Sequence, residues 1–343
     1  MTIHAVVLAA GEGLRLRPVT EVTPKPLLPV VGRTLLARIL ASLQTAGITD
    51  IVVGTGWKHE RVAEHIASMQ TDVTIHSVYV SDYKIGPLAT FVRASQQSTF
   101  TTALVCPADY VSDVSPLDTL IAQSACEEDC PVAVMAVSRH AGGSVVFGTD
   151  DGRVCGIGHD VTGSASPVGY SAMSMIVSSR FVASCGPALG NGLTHVWQVV
   201  NMMVEQGRDV RYLYVGNPGI DVDDFRGLLD AVRHILLNPG PDIAGGLYVP
   251  DGDSMKFRTA LSSPSRTVIE AGVEIVGPAY VGPGSRIGAS CRVGPFVSIE
   301  RNSVVGNQVE VHDAVFLPGS TVSPSSTLAN VVVHSQGTVY VGD

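Results

Sequence analysis

The chain has 343 residues, of which 45% are hydrophobic and 15% charged, with a formal net charge of -9. This length exceeds one usual hydrophobic core and predicts two domains, and the composition excludes a mainly disordered protein. With only four lysines the chain offers no basic surface for nucleic acid. Neither a charged leader nor a membrane-length apolar stretch is apparent, so the sequence predicts a cytoplasmic protein without nucleic-acid or membrane partners.

The first predicted element is a strand over residues 5–8, followed by a glycine-rich loop. The loop reads Leu8-Ala9-Ala10-Gly11-Glu12-Gly13-Leu14-Arg15, and Pro24-Lys25-Pro26 follows ten residues later. Glycines allow backbone N–H groups to approach phosphate oxygens, and fixed cations neutralise the charge that builds during attack on a phosphate. The combination therefore predicts a triphosphate site. The alternative without a functional role is a strand-to-helix turn with Arg15 and Lys25 on a solvated surface.

Strand-like and helix-like segments then alternate, which predicts an α/β domain with a mostly parallel sheet and helices on both faces. Further strands are predicted over 51–53, 73–80 and 103–105, and helices over 35–43, 60–69 and 88–97. Asp109 follows the last of these strands. Because ligands of such sheets bind beyond the carboxyl ends of the strands, Asp109 and the glycine loop are expected to share a cleft.

A second group of carboxylates precedes the last helix of this part, predicted over 226–237. Asp221 and Asp223 stand in Gly219-Ile220-Asp221-Val222-Asp223-Asp224. Carboxylates suit a hard cation such as Mg²⁺, which bridges them to phosphate oxygens. Asp221 is the preferred second ligand beside Asp109 and Asp223 the alternative, while a simple helix cap is the competing explanation for Asp223 or Asp224.

The C-terminal part has a different pattern, with an aliphatic residue at every sixth position. The series is Ile269, Ile275, Val281, Ile287, Val293, Ile299, Val305, Val311 and Leu317. No ordinary helix or hairpin keeps this period, which predicts a solenoid of stacked short strands. We expect a catalytic domain over 1–238, a Pro- and Gly-rich linker over 239–264 and the solenoid over 265–343, with the phase slipping near Pro324.

Residues 8–30 together resemble the signature of sugar-1-phosphate nucleotidyltransferases, and the repeat resembles the left-handed β-helix of hexapeptide-repeat proteins. The resemblance implies a Rossmann-like catalytic domain that uses Mg²⁺ to join an NTP to a sugar 1-phosphate. It implies catalytic roles for Arg15 and Lys25 and metal ligation by Asp109 and Asp221. The residues that it implies in nucleotide binding are Leu8, Ala10, Gly11, Gly13, Gly86 and Pro87.

The sequence departs from the family pattern at three places. Leu14 replaces the usual Ser or Thr, and Gly86-Pro87-Leu88-Ala89 replaces Gly-Thr-Ala-Gly and is closer to molybdopterin guanylyltransferases. Gly156-Ile157-Gly158-His159-Asp160 stands where a Glu-Lys pair should bind the sugar phosphate. A protonated His159 is one replacement for that lysine, and a surface-turn histidine is the bland reading.

Three functions follow as hypotheses. The first is the nucleotidyltransferase, and the second is a catalytically silent regulatory or scaffold subunit of the same fold, motivated by the missing Glu-Lys pair. The third adds an acetyltransferase in the solenoid, for which His312 and His334 are the candidate general bases. A homo-oligomer formed through the solenoid is expected in each case.

Overall fold

The computed structural model describes residues 3–97, 100–111, 114–123, 131–139, 143–158, 165–216, 219–239, 243, 245–263 and 265–342. Their contacts divide the chain into two compact units. The first comprises residues 1–12, 24–26 and 36–221, and the second comprises 13–23, 27–35 and 222–343. Two stretches of the signature segment therefore group with the solenoid.

Residues up to 221 form both strands and helices, as the apolar pattern predicts. The strands are β1 (His4–Ala9), β2 (Pro29–Val30), β3 (Arg33–Thr34), β4 (Asp50–Thr55), β5 (Thr74–Tyr79), β6 (Thr102–Pro107), β7 (Tyr110–Val111), β8 (Ala133–Ser138), β9 (Val145–Gly148), β10 (Val154–Ile157), β11 (Ser166–Ser178), β12 (Val210–Tyr214) and β13 (Ile220–Asp221). The helices are α1 (Val19–Val22), α2 (Leu35–Thr45), α3 (His59–Ser68), α4 (Pro87–Ser95), α5 (Val114–Gln123), α6 (Ser179–Gly190) and α7 (Val196–Glu205). Short 3-10 turns cover Leu14–Leu16, Lys25–Leu27 and Tyr83–Ile85.

The main sheet of the first unit has the strand order β10-β9-β11-β6-β1-β4-β5, and β8 pairs with β11 and β12. Strand β1 lies between β4 and β6 and is parallel to both. Strands β1, β4 and β6 are buried and consist of near-continuous apolar runs, as expected of strands covered on both faces. The carboxyl end of β1, where the glycine loop starts, therefore meets the carboxyl ends of β4 and β6.

The prediction of a mostly parallel sheet is wrong, because the sheet is mixed. Strand β11 runs antiparallel to β6, β8 and β9, and β9 and β10 form an antiparallel pair. Parallel neighbours require long crossovers, whereas β9 and β10 are joined by a tight turn, which can join only antiparallel strands. The helical pattern that predicts crossovers covers the parallel strands and does not extend to this part.

Helix α8 (Phe225–Leu237) opens the last part of the chain, and strands follow it. They are β14 (Leu247–Val249), β15 (Ser254–Phe257), β16 (Leu261–Ser262), β17 (Val268–Ile269), β18 (Val273–Val276), β19 (Ala279–Val281), β20 (Arg286–Ile287), β21 (Arg292–Val293), β22 (Val297–Ile299), β23 (Val304–Val305), β24 (Glu310–Phe316), β25 (Thr321–Val322), β26 (Thr327–His334) and β27 (Gly337–Tyr340). Strands β14, β15 and β16 lie in the stretch predicted as a linker. They pair antiparallel with β19, β18 and β17, so they do not share the six-residue period of the coils.

The short strands of this part stack in parallel. Arg286 pairs in parallel with Val304 and Arg292 pairs with Glu310, so one coil takes 18 residues, three times the six-residue period. The aliphatic positions of the series up to Val311 are buried in one continuous core with Phe316, Val322, Leu328 and Val333. The left-handed sense of the coils stays a prediction.

The predicted position of the phase slip is wrong. Val293 pairs with Val311 at a spacing of 18 residues, but Ile299 pairs with Phe316 at a spacing of 17. The coil is therefore one residue shorter between Val311 and Ala314, well before Pro324. Phe316 takes the stacked position predicted for Leu317, and both side chains are buried. The sequence conceals this because adjacent apolar residues fit either register.

Glycines allow close approach between coils, and Gly294 gives a sharp test. A Cβ atom there would lie 1.8 Å from the carbonyl oxygen of Val276, and its φ is +101°. We expect Gly294→Ala to lower the free energy of unfolding by more than about 3 kcal/mol, because steric overlap adds to backbone strain. Urea unfolding of the purified variant measures this loss.

Gly319→Ala is the matched control. Gly319 also has a positive φ of +72°, but no atom lies within 4 Å of an added Cβ atom. This variant should lose only the strain of a left-handed residue, about 1 kcal/mol. Equal losses in the two variants would contradict the close packing of the coils.

Candidate functional site

The glycine loop leaves the carboxyl end of β1 with its backbone already tied to the neighbouring strands. The carbonyl of Leu8 accepts a hydrogen bond from the amide of Ala108 at 3.0 Å, and the carbonyl of Ala10 accepts one from the amide of Trp57 at 3.0 Å. At Gly11 no atom lies within 4 Å of an added Cβ atom. The loop thus has fixed ends and an open middle, which suits a ligand that contacts backbone amides.

The second half of the loop folds on itself. Gly13 has a φ of 63° and starts the 3-10 turn over Leu14–Leu16, and its carbonyl accepts a hydrogen bond from the Thr20 hydroxyl at 2.8 Å. Leu16 is fully buried and therefore anchors the turn. Arg15, next to this anchor, forms an ion pair with the carboxylate of Asp223. The predicted cation of this loop, Arg15, therefore contacts the carboxylate of Asp223.

Lys25 and Asp109 form the central ion pair of the first unit. The Nζ atom of Lys25 lies 2.5 Å from Oδ2 of Asp109, and the lysine side chain is only 8% exposed. Asp109 is 24% exposed and follows β6 at the carboxyl edge of the sheet. A nearly buried ammonium group is costly without a partner, so its pairing with Asp109 fixes both side chains. The reading of Lys25 as a solvated surface residue does not hold.

Asp221 joins Asp109 because a short strand pair brings the two segments together. Strand β13 pairs antiparallel with β7, with Asp221 opposite Tyr110. Carboxylate oxygens of Asp109 and Asp221 lie within 4.8 Å of each other. These two carboxylates of the first unit could hold a metal ion. Oxygen donors of this kind fit a hard divalent cation such as Mg²⁺.

The negative charge of the site affects two buried neighbours. Burial raises the pKa of the Cys106 thiol to about 12, and the charge of Asp109 contributes. Burial likewise raises the pKa of the Tyr110 hydroxyl, with a contribution from Asp221. Both groups stay neutral near pH 7, so they add no negative charge beside the carboxylates. Only cations can offset the negative charge of Asp109 and Asp221.

Gly86 and Pro87 lie at the start of α4 and contact the segment before α7. The carbonyl of Thr194 accepts a hydrogen bond from the amide of Leu88 at 2.9 Å. A Cβ atom on Gly86 would lie 2.5 Å from that same carbonyl oxygen, and the φ of Gly86 is +143°. Glycine is therefore required here by the backbone, which also fits the bland reading as a turn before a helix.

Sequence reasoning missed the residues that connect this segment to the glycine loop. The carboxylate of Glu12 accepts a hydrogen bond from the Tyr83 hydroxyl at 3.3 Å and lies 2.9 Å from Nζ of Lys84. Burial, followed by the charge of Glu12, raises the pKa of Tyr83. Glu12 stands inside the signature, but its partners 71 and 72 residues later have no sequence signal that pairs them with it.

Other predicted residues are placed as follows. His159 lies outside the described residues. Two residues earlier, the amide of Ile157 donates to Oδ1 of Asn201 in α7 at 2.8 Å, and the carbonyl of Ile157 accepts from Nδ2 of Asn201 at 3.0 Å. In the second unit, Nδ1 of His312 lies 2.8 Å from Oδ2 of Asp313. His334 is only 8% exposed, and burial lowers its pKa. His312 and His334 therefore occupy different environments, one exposed and paired, the other buried.

Comparisons with known proteins agree with this geometry. Residues 5–168 match the family model of the MobA-like NTP transferase domain, and residues 275–340 match that of the GMPPB C-terminal domain. A glucose-1-phosphate thymidylyltransferase of Streptomyces griseus is 25% identical over 333 residues, covering 94% of this chain and 89% of that protein. These similarities support a relationship to the sugar-1-phosphate nucleotidyltransferases.

Two further similarities were found. A UTP–glucose-1-phosphate uridylyltransferase of Haloferax volcanii is 32% identical over 111 residues, 32% of this chain and 40% of that protein. The structure of the inositol-1-phosphate CTP transferase from T. maritima superposes with a TM-score of 0.57 at 19% identity, covering 68% of this chain and 96% of that chain. This last likeness shows the fold. Among the described residues, no helix has both the length and the apolar character that crossing a membrane requires.

The buried thiol beside Asp109 yields a direct test of the site. With its pKa raised to about 12, Cys106 has almost no reactive thiolate at pH 8. We expect iodoacetamide to leave the peptide containing Cys106 unmodified in the native protein and to modify it after unfolding in guanidinium. Mass spectrometry of the digested protein reads the result. Native labelling at the rate of a free thiol would contradict the placement of this residue under the site.

Proposed function

We propose that the protein transfers a nucleoside monophosphate from an NTP to a sugar 1-phosphate, forming a nucleotide-sugar and releasing pyrophosphate. The observation that carries this proposal is the pairing of nearly buried Lys25 with Asp109, beside the Asp221 carboxylate and at the strand edge where the glycine loop begins. Cations and cation-binding carboxylates placed together suit a polyphosphate substrate. The family relationship supports the same reaction class.

In this proposal the glycine loop holds the triphosphate. Amides near Gly11 and Gly13 contact phosphate oxygens, and the backbone around Leu8 and Ala10 holds the nucleoside side of the substrate. Arg15 and Lys25 neutralise negative charge on the phosphates during the transfer. Gly86 and Pro87, at the start of α4, contact the nucleobase and ribose.

Asp109 and Asp221 would hold a Mg²⁺ ion, with Asp223 as the alternative second ligand. The donor set fits, because carboxylate oxygens within 4.8 Å of one another are the ligands that a hard cation prefers. When bound, the ion supplies charge neutralisation on the phosphate oxygens of the substrate. Asp221 is the preferred second ligand because the pairing of β13 with β7 places it opposite Tyr110, next to Asp109 in the chain.

The chemistry requires no general base from the protein. A phosphate oxygen of the sugar 1-phosphate is already ionised and attacks the α-phosphorus of the NTP. The new bond joins that oxygen to the α-phosphorus, and the bond from the α-phosphorus to the bridging oxygen of pyrophosphate breaks. The protein contributes by positioning the two substrates and by neutralising charge.

We propose further properties that depend on this function. The substrates are cytoplasmic metabolites, so the protein acts in the cytoplasm. Its solenoid is a left-handed β-helix, as the six-residue period predicts, and forms a homo-oligomer. The relatives named above are thymidylyl-, uridylyl- and cytidylyltransferases. Because they differ in the nucleobase, an assay has to identify the nucleobase that this protein uses.

Lys25→Ala tests the role of the ion pair. We expect turnover to fall about 10²- to 10³-fold, because a preorganised charge is lost where negative charge develops. Pyrophosphate release at saturating substrates measures the change, and circular dichroism confirms the fold. Lys256→Ala is the control, since Lys256 is 70% exposed and pairs with Glu274 in the solenoid. Turnover of Lys25→Ala close to that of the control would remove Lys25 from the mechanism.

A substrate matrix tests the reaction itself. Four NTPs are combined with glucose, mannose, N-acetylglucosamine and galactose 1-phosphates in the presence of Mg²⁺, and pyrophosphate release is measured. We expect turnover in at least one combination and none without the sugar phosphate. Triphosphate binding without turnover in every combination would instead favour the silent scaffold. Acetyl-CoA consumption with an amino-sugar phosphate would favour the added acetyltransferase.

A further inference from the structure

A buried acid in the solenoid contacts the hairpin over residues 29–34, which begins at the end of the signature segment. Glu300 follows β22 and is only 2% exposed. Its Oε1 and Oε2 atoms accept the amide N–H of Gly32 at 3.2 and 3.1 Å. Oε1 also accepts the hydroxyl of Ser298 at 2.8 Å. All of these residues belong to the second compact unit.

The solenoid itself does not require an acid at this position. The register of the coils aligns Glu300 with Gly282 one coil earlier and with Leu317 one coil later, since Ile299 pairs with Val281 and with Phe316. Other coils thus accommodate a glycine or an apolar side chain here. A buried carboxylate is costly unless hydrogen-bonded. Gly32 lies outside the coils, so its hydrogen bonds with Glu300 indicate a role for the carboxylate outside the solenoid.

The segment that Glu300 contacts is a strained turn. Residues 29–34 form a hairpin in which Val30 pairs with Arg33 across the two-residue loop Val31-Gly32. The φ angles of Val31 and Gly32 are 49° and 81°. Positive φ angles at both positions describe a type I′ turn, and a β-branched residue rarely adopts one. Such a conformation persists only where its surroundings enforce it.

The strained hairpin is directly connected to Lys25. The 3-10 turn Lys25–Leu27 ends two residues before Pro29, and prolines also stand at 24 and 26. Proline fixes its own φ and restricts the residue before it, so the connection has few soft torsions. A displacement of the hairpin is therefore passed along the backbone to Lys25, whose Nζ lies 2.5 Å from Asp109.

We propose that Glu300 is a positioning residue for Lys25: it holds the strained 29–34 hairpin through the amide of Gly32 and thereby fixes the backbone that carries the lysine. The inference rests on the role proposed above for Lys25. It assigns the solenoid a part in the transfer reaction besides any part in assembly. The residue acts through the hairpin and does not touch the substrate.

Glu300→Gln tests the proposal while keeping the side-chain volume. Either orientation of the amide places its NH₂ group against the N–H of Gly32, so the contact is weakened. We expect hydrogen–deuterium exchange of the peptide over 25–35 to rise at least about 10-fold and kcat for pyrophosphate release to fall by a similar factor. Glu300→Asp keeps the charge but has a shorter side chain, so we expect exchange and kcat values between those of the wild type and of Glu300→Gln. It replaces Glu300→Gln as the test variant if Glu300→Gln does not fold.

Val309→Ala is the matched control. Val309 lies in the solenoid core at 1% exposure, so truncating its side chain lowers the stability of the solenoid. It should keep wild-type exchange over 25–35 and wild-type kcat, even with a melting temperature as low as that of Glu300→Gln. Unchanged exchange or unchanged kcat in Glu300→Gln, or an equal loss of kcat in the control, would overturn the proposal.

The failure of the proposed function is recognised separately. If the wild-type protein releases no pyrophosphate with any substrate, the proposed reaction fails, whatever the variants do. Triphosphate affinity from calorimetry then replaces kcat as the readout, and Glu300→Gln should weaken it at least about 10-fold while Val309→Ala leaves it unchanged. Equal affinities would again overturn the positioning role.

Discussion

The ion pair between Lys25 and Asp109 is the interaction on which the rest of the site depends. A lysine that is 8% exposed keeps its charge only beside a carboxylate, and Asp109 lies close to a second acid, Asp221. Carboxylates this close repel one another, so the arrangement is stable only with cations beside it. Concentrated charge of both signs at the end of β1 is what a metal–polyphosphate substrate requires.

Ordinary elements bring these side chains together. The parallel order of β4, β1 and β6 places the glycine loop and Asp109 at one edge of the sheet. The pairing of β13 with β7 adds Asp221, from more than 100 residues later in the chain. The 3-10 turn over Lys25–Leu27 and the hairpin after it supply the lysine. The strand pairings join segments that are distant in the chain, whereas the 3-10 turn is local, and their combination forms the site.

Much of this arrangement could be predicted from the sequence. Continuous apolar runs predict β1, β4 and β6, and the six-residue series predicts the stacked coils, because both patterns report burial directly. The antiparallel β9–β11 region and the short coil at Val311–Ala314 could not be predicted, since turn connections and adjacent apolar residues fit more than one register. The partners of Glu12 and Glu300 are tertiary contacts without a periodic signal.

The two compact units do not follow chain order, which changes how the solenoid is understood. Residues 13–23 and 27–35 group with it, although they flank Lys25 in the signature. Arg233 of α8 donates hydrogen bonds to Asp313 at 2.7 and 3.0 Å and to Asn330 at 3.2 Å, so the solenoid is also fastened to the helix that follows the aspartates. The solenoid, these two stretches and α8 therefore belong to one compact unit.

The most direct test of this account is the affinity for a divalent cation, measured with Mn²⁺ by electron paramagnetic resonance in the wild-type protein and in Asp109→Asn. The account predicts saturable binding to the wild type that weakens at least about 10-fold in the variant, because one of the carboxylate ligands loses its charge. Asp151→Asn, at a carboxylate that is 63% exposed and remote in sequence, should bind like the wild type. Equal Mn²⁺ affinity in the wild type and Asp109→Asn would contradict the account.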